Sequence, residues 1–88
     1  MEELLKDLQI SQKGTYVESK YTIDLQTSNW YQYYFEKLES NPNFEIEEDS
    51  IKTSYEENTV AFYNGEYEIY LTANFVDDTY TMEIEEKQ

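Results

Sequence analysis

An α+β domain, with one aromatic-rich helix packed on one face of a four- or five-stranded antiparallel sheet and a short helix before it, is predicted by three features of the sequence. Apolar residues recur with helical spacing over 30–38, with a period of two through most of the chain after residue 43, and turn-forming residues punctuate the period-two runs. The 88 residues, 10.6 kDa, have room for one core. Residues 1–88 are therefore read as a single acidic domain.

The elements follow in order. Met1, Leu4, Leu5 and Leu8 fall on one helical face, and Glu2, Glu3 and Asp7 sit in the first turns, where the helix dipole favours acids. Gly14 closes this segment. From Thr15 to Gln26, Val17, Tyr21, Ile23 and Leu25 mark out one strand with a buried face. Asn29 and Gln32 suggest a capping box, and Trp30, Tyr31, Tyr34, Phe35 and Leu38 form a wide stripe, which predicts a helix over about Ser28 to Ser40. Asn41-Pro42-Asn43 stops it, because Pro lacks a donor and pushes its predecessor out of the helical region. Phe44 and Ile46 open the next strand, which Ile51, Thr53 and Tyr55 continue past a bulge or turn at Asp49-Ser50. A turn at Glu56-Glu57-Asn58 leads to a strand over Thr59 to Tyr63. Asn64-Gly65 predicts a type I′ hairpin, whose central residues both need positive φ. Tyr67, Ile69, Leu71 and Ala73 alternate with polar neighbours, Val76 to Thr79 turns, and Tyr80, Met82 and Ile84 form the last strand.

Composition narrows function by exclusion. There is no Cys and no His, so no disulfide scaffold, Cys/His zinc site, Ser-His-Asp or Cys-His nucleophile can be built. Twenty acids face six lysines and no arginine, a net charge of −14, which disfavours direct contact with nucleic acid. With 39% hydrophobic residues and ten Tyr, four Phe and one Trp, the chain has the means to fold rather than remain disordered. No apolar run approaches the ~18 residues of a membrane span and the acidic start is unlike a secretion signal, so a soluble, cytoplasmic protein is expected.

The charge is uneven. Residues 1–38 carry six acids and four lysines, whereas 39–88 carry fourteen acids and two lysines. Glu45/Glu47, Glu66/Glu68 and Glu83/Glu85 each stand at i, i+2 opposite the apolar side of a strand, so pairing of those strands would make a carboxylate lattice spaced ~5–7 Å with nothing cationic between. Like charges facing across strands cost up to roughly 1 kcal/mol per pair, and −14 exceeds the ~2–8 charges that solubility needs. Tyr63 and Tyr70 fall beside the acids by strand parity, and a Tyr/Glu surface suits a wet interface with a basic partner. Candidate partner-binding residues are therefore Glu45, Glu47, Glu48, Asp49, Tyr63, Glu66, Glu68, Tyr70, Asp77, Asp78, Glu83 and Glu85. Glu47-Glu48-Asp49 and Asp77-Asp78 lack the spacing of a calcium loop, and no metal, cofactor or catalytic residue is assigned.

In size, acidity, α+β character and lack of catalytic motifs the chain resembles small phage-encoded inhibitors of host defence: DNA-mimic anti-CRISPR proteins and anti-restriction or uracil-DNA-glycosylase inhibitors. The resemblance implies a stoichiometric inhibitor, not an enzyme, that occupies the nucleic-acid-binding surface of a Cas effector or other nuclease in a host cytoplasm, as a monomer or weak homodimer. Two other readings share the surface physics in part: an immunity protein or antitoxin that neutralises a basic toxin, and an acidic structural or oligomerisation module.

Overall fold

The computed structural model describes residues 2–87, apart from the side chains of 49 and 50. Met1, expected on the first helical face, lies outside the described residues. The elements are α1 (Glu2–Asp7), β1 (Gly14–Val17), β2 (Lys20–Asp24), α2 (Ser28–Glu39), β3 (Glu45–Thr53), β4 (Glu57–Tyr63), β5 (Tyr67–Asn74) and β6 (Thr79–Glu86). All strand pairs are antiparallel, in the order β1-β2-β6-β5-β4-β3, an open α+β sheet with two helices. From β2 the chain must reach the opposite edge, about 19 Å away at ~4.8 Å per strand. Twelve residues of α2 at 1.5 Å each span about 18 Å, which covers most of that distance, and the loops at its two ends supply the rest. The meander β3-β4-β5-β6 then walks back until β6 meets β2.

One sheet face and both helices enclose the core. Ile23, Leu25, Phe62, Ile69, Leu71, Met82 and Ile84 are wholly inaccessible, joined by Leu4 and Leu8 near α1 and by Tyr34 and Leu38 of α2. Trp30, Tyr31 and Phe35 pack at its margin; Trp30 stacks on Tyr34 with centroids 5.6 Å apart, and Phe35 meets Phe62 edge-on. Full burial of one such aliphatic side chain is worth about 1.5–3 kcal/mol.

Four expectations need correction. The turn expected at Glu56-Glu57-Asn58 comes earlier, over Ser54 to Glu56, so Tyr55 has already left β3 while Glu57 and Asn58 belong to β4. The segment read as one strand, Thr15 to Gln26, is a hairpin: Val17 pairs with Lys20 across Glu18-Ser19, Glu18 taking a φ of 60°. That raises the strand count to six, and no Gly or Asn announced the turn. Helix α2 is capped by Thr27, whose Oγ1 accepts from the Trp30 N–H at 3.3 Å, and not by Asn29. The Asn64-Gly65 hairpin is present, but neither residue has positive φ, so the turn is not type I′. Asn64 instead accepts the Glu66 and Tyr67 N–H groups on its side-chain oxygen, at 2.8 and 2.7 Å. Asn74 does the same for Val76 and Asp77, and the Ser54 hydroxyl for Glu56 and Glu57. A side-chain acceptor therefore organises each turn of the meander and removes the need for a left-handed pair.

Candidate functional site

The registers decide which side chains share the outer face, the one away from the helices. Glu45 pairs with Tyr63, Tyr63 with Glu68, Glu68 with Glu85 and Glu85 with Lys20, so one row runs across five strands as Glu-Tyr-Glu-Glu-Lys. The next row is Glu47, Ala61, Tyr70, Glu83 and Thr22. Beyond it the face turns neutral, with Lys52, Thr59, Thr72, Thr81 and Asp24 in line. Five carboxylates and two tyrosines thus occupy adjoining rows, at the end of the sheet nearest the β4–β5 turn.

The side chains between them are not all anionic, which overturns the expectation that no cation interleaves the acids. Lys87 donates to Glu68 at 2.9 Å and lies 5.4 Å from the Tyr63 ring centroid. Lys20 reaches Glu83 at 3.8 Å and sits 5.6 Å over Tyr70. Tyr63 donates its hydroxyl to Glu45 at 2.8 Å, and Tyr70 donates to Glu68. These contacts relieve the Glu68–Glu85 opposition, which the strand pairing makes direct. They also leave a trace in acidity: the hydrogen bond to Glu45, then its charge, hold the Tyr63 phenol above its ordinary pKa, and the hydrogen bond to Glu68 raises the Lys87 ammonium. The face is a mosaic of carboxylates, rings and two lysines rather than a bare anionic plate.

Of the twelve residues singled out in the sequence, seven lie on this mosaic: Glu45, Glu47, Tyr63, Glu68, Tyr70, Glu83 and Glu85. Glu48 is exposed one position further along β3, where it lines a shallow hollow with Glu47, Tyr63 and Lys87. Glu66 lies in the β4–β5 turn, ahead of β5, beside a different hollow that also holds Glu3 and Asp7. Asp77 and Asp78 are at the opposite end, in the β5–β6 turn, where Asp78 accepts from Tyr80 and Asp77 from Asn74. Those three therefore leave the candidate face, and the side chain of Asp49 lies outside the description. Parity placed the strand residues correctly and failed wherever the chain had already left the strand. Lys20 and Lys87 were missed, since each is one residue in a weakly charged or terminal segment and only the register brings it among the glutamates. Among the described residues no group of three acidic side chains is placed to hold a metal ion, and no helix is long and apolar enough to cross a membrane.

No family model, curated protein or solved structure matches the chain. What the face can do rests on its own geometry: it offers several hydrogen-bond acceptors and rings on one sheet, with negative charge in excess. Such a surface recognises ammonium and guanidinium groups, the carboxylates accepting their N–H donors and the rings taking cation–π contact.

Proposed function

We propose that the chain is a stoichiometric inhibitor that binds a basic, nucleic-acid-binding protein through the outer face of its sheet, with a nuclease or CRISPR effector as the target. The observation that supports this is the clustering of Glu45, Glu47, Glu68, Glu83 and Glu85 with Tyr63 and Tyr70 in two adjoining rows of one sheet. Rows about 7 Å apart and strands ~4.8 Å apart give a carboxylate spacing close to that of backbone phosphates, so lysines and arginines arranged for a duplex would find acceptors here. Charge of this density also steers a basic partner in, raising association rates tenfold to a thousandfold at low salt. Nucleic acid is excluded because its site is filled.

The experiment is capture from bacterial lysate at low and high salt on immobilised protein, followed by competition of the captured protein with its nucleic acid. A triple variant, Glu45→Lys with Glu83→Lys and Glu85→Lys, is expected to lose at least tenfold in affinity while its circular dichroism spectrum stays native. Undiminished affinity in a folded triple variant would sink the reading. Binding that survives high salt, or a complex in which the target still holds its DNA, would do the same.

A further inference from the structure

The sheet is wider than its cover. Six strands at ~4.8 Å are about 24 Å across, whereas a helix is about 10 Å thick, and α2 packs chiefly over β5 and β6. On the helix side of β3 and β4 this leaves a cleft of about 500 Å³, within the ~300–1,000 Å³ of ligand pockets. Tyr31 and Phe35 of α2, Ile51 of β3, Val60 of β4 and Phe75 of the β5–β6 turn supply apolar walls, and Ile51 and Phe75 remain about half exposed. In that lining the side-chain oxygen of Asn58 is buried without a hydrogen-bond partner. A buried acceptor left unmade costs about 1–3 kcal/mol, so a turn of the Asn58 amide that presents its oxygen to a donor in the cleft is favoured. The mouth is acidic: Glu39 lines it, the Phe75 N–H donates to the Glu56 carbonyl at 2.8 Å and so holds Glu56 of the β3–β4 turn alongside, and Asp77 and Asp78 follow Phe75 in the chain.

We infer that this cleft receives an aromatic side chain bearing an N–H or O–H donor, flanked by lysine or arginine, from a segment of a basic partner. The ring fills the apolar walls, its donor meets Asn58, and the flanking cations meet Glu39 and Glu56. The inference rests on the reading that the partner is basic, but it concerns the opposite side of the sheet, so the two can fail separately.

The test is an NMR titration of the full chain with three blocked tripeptide amides: acetyl-Lys-Trp-Lys, acetyl-Glu-Trp-Glu and acetyl-Lys-Ala-Lys. The first is expected to give saturable shifts at Asn58, Val60 and Phe75, with the second at least tenfold weaker and the third moving only the outer face around Glu68 and Glu83. Asn58→Leu is expected to weaken the first peptide about tenfold, and Glu39→Gln, an exposed change that leaves the fold alone, to narrow its advantage over the second. No saturable shift in the cleft, equal binding of the acidic peptide, or undiminished binding by Asn58→Leu would each overturn the inference. Shifts on the outer face alone would leave the inhibitor reading standing and remove this one.

Discussion

Tyr63 and Lys87 show how single residues carry the charge of this protein. Both hold their protons more firmly than usual, Tyr63 through its bond to Glu45 and Lys87 through its bond to Glu68, and Tyr31, Tyr67 and Tyr80 do so chiefly because burial disfavours the phenolate. In all five the folded chain prefers the protonated form. Their contribution to stability is complete below the ordinary values of 10.0 for Tyr and 10.5 for Lys, and is lost as pH rises through the higher folded values. The urea midpoint is therefore expected to be flat from neutral pH upward and to fall above about pH 10, with tyrosinate absorbance lagging that of the unfolded chain. A midpoint unchanged at alkaline pH would contradict these assignments. At this scale the sequence was informative about the glutamates, because strand parity alone fixes their side; it was silent on Lys20 and Lys87, whose partners are set by strands far away in the chain. Among tyrosines, Tyr34 and Tyr80 are buried as expected, Tyr21 and Tyr67 only half so, and Tyr55 is fully exposed.

Elements depend on residues at their ends. Thr27 supplies the only side-chain acceptor seen at the start of α2 among the described residues, and Thr27→Ala is expected to cost about 1 kcal/mol, read as a lower urea midpoint with unchanged slope. Gly14 opens β1 for a different reason: a Cβ there would lie 2.6 Å from the Thr22 carbonyl oxygen and 2.8 Å from Ile23 and Tyr21. Its N–H also donates to the Tyr21 hydroxyl at 2.9 Å. Gly14→Ala should push β1 off β2 and lower the thermal midpoint, whereas Gly65→Ala, with open space around it, should leave it almost unmoved. Equal effects from the two would show that β1 adapts. Helix α2 and the strands β5 and β6 were legible because their apolar periods are unbroken, whereas β4 was read two residues short because Glu57 and Asn58 look like turn residues. The first hairpin was not: Glu18 and Ser19 carry no turn signature, and β1 is too short and too exposed for its alternation to reveal an end. The side-chain acceptors at Ser54, Asn64 and Asn74 mark turns by residue type, but whether such a residue bends its own backbone or caps its neighbours is decided by the strands it joins.

For the molecule as a whole, fourteen uncompensated negative charges on 88 residues make self-repulsion a property of the fold. Added salt shortens the reach of these charges to about 8 Å at 0.15 M and 3 Å at 1 M, so the thermal midpoint is expected to rise from low to high sodium chloride even as binding to a basic partner weakens. Opposite slopes in the two measurements are the expected signature; a midpoint that falls with salt would mean that ion pairs such as Lys87–Glu68 outweigh the repulsion. The class of fold was readable from periodicity, but the strand order was not, because nothing local in the sequence says that β6 enters between β2 and β5. That entry has a consequence for assembly. The hairpin β1–β2 and the meander β3–β5 share no ladder of their own, and residues 79–86 alone zip them together. During synthesis the hairpin and the meander can each close their own ladders, but they cannot join into one sheet until that segment has been made.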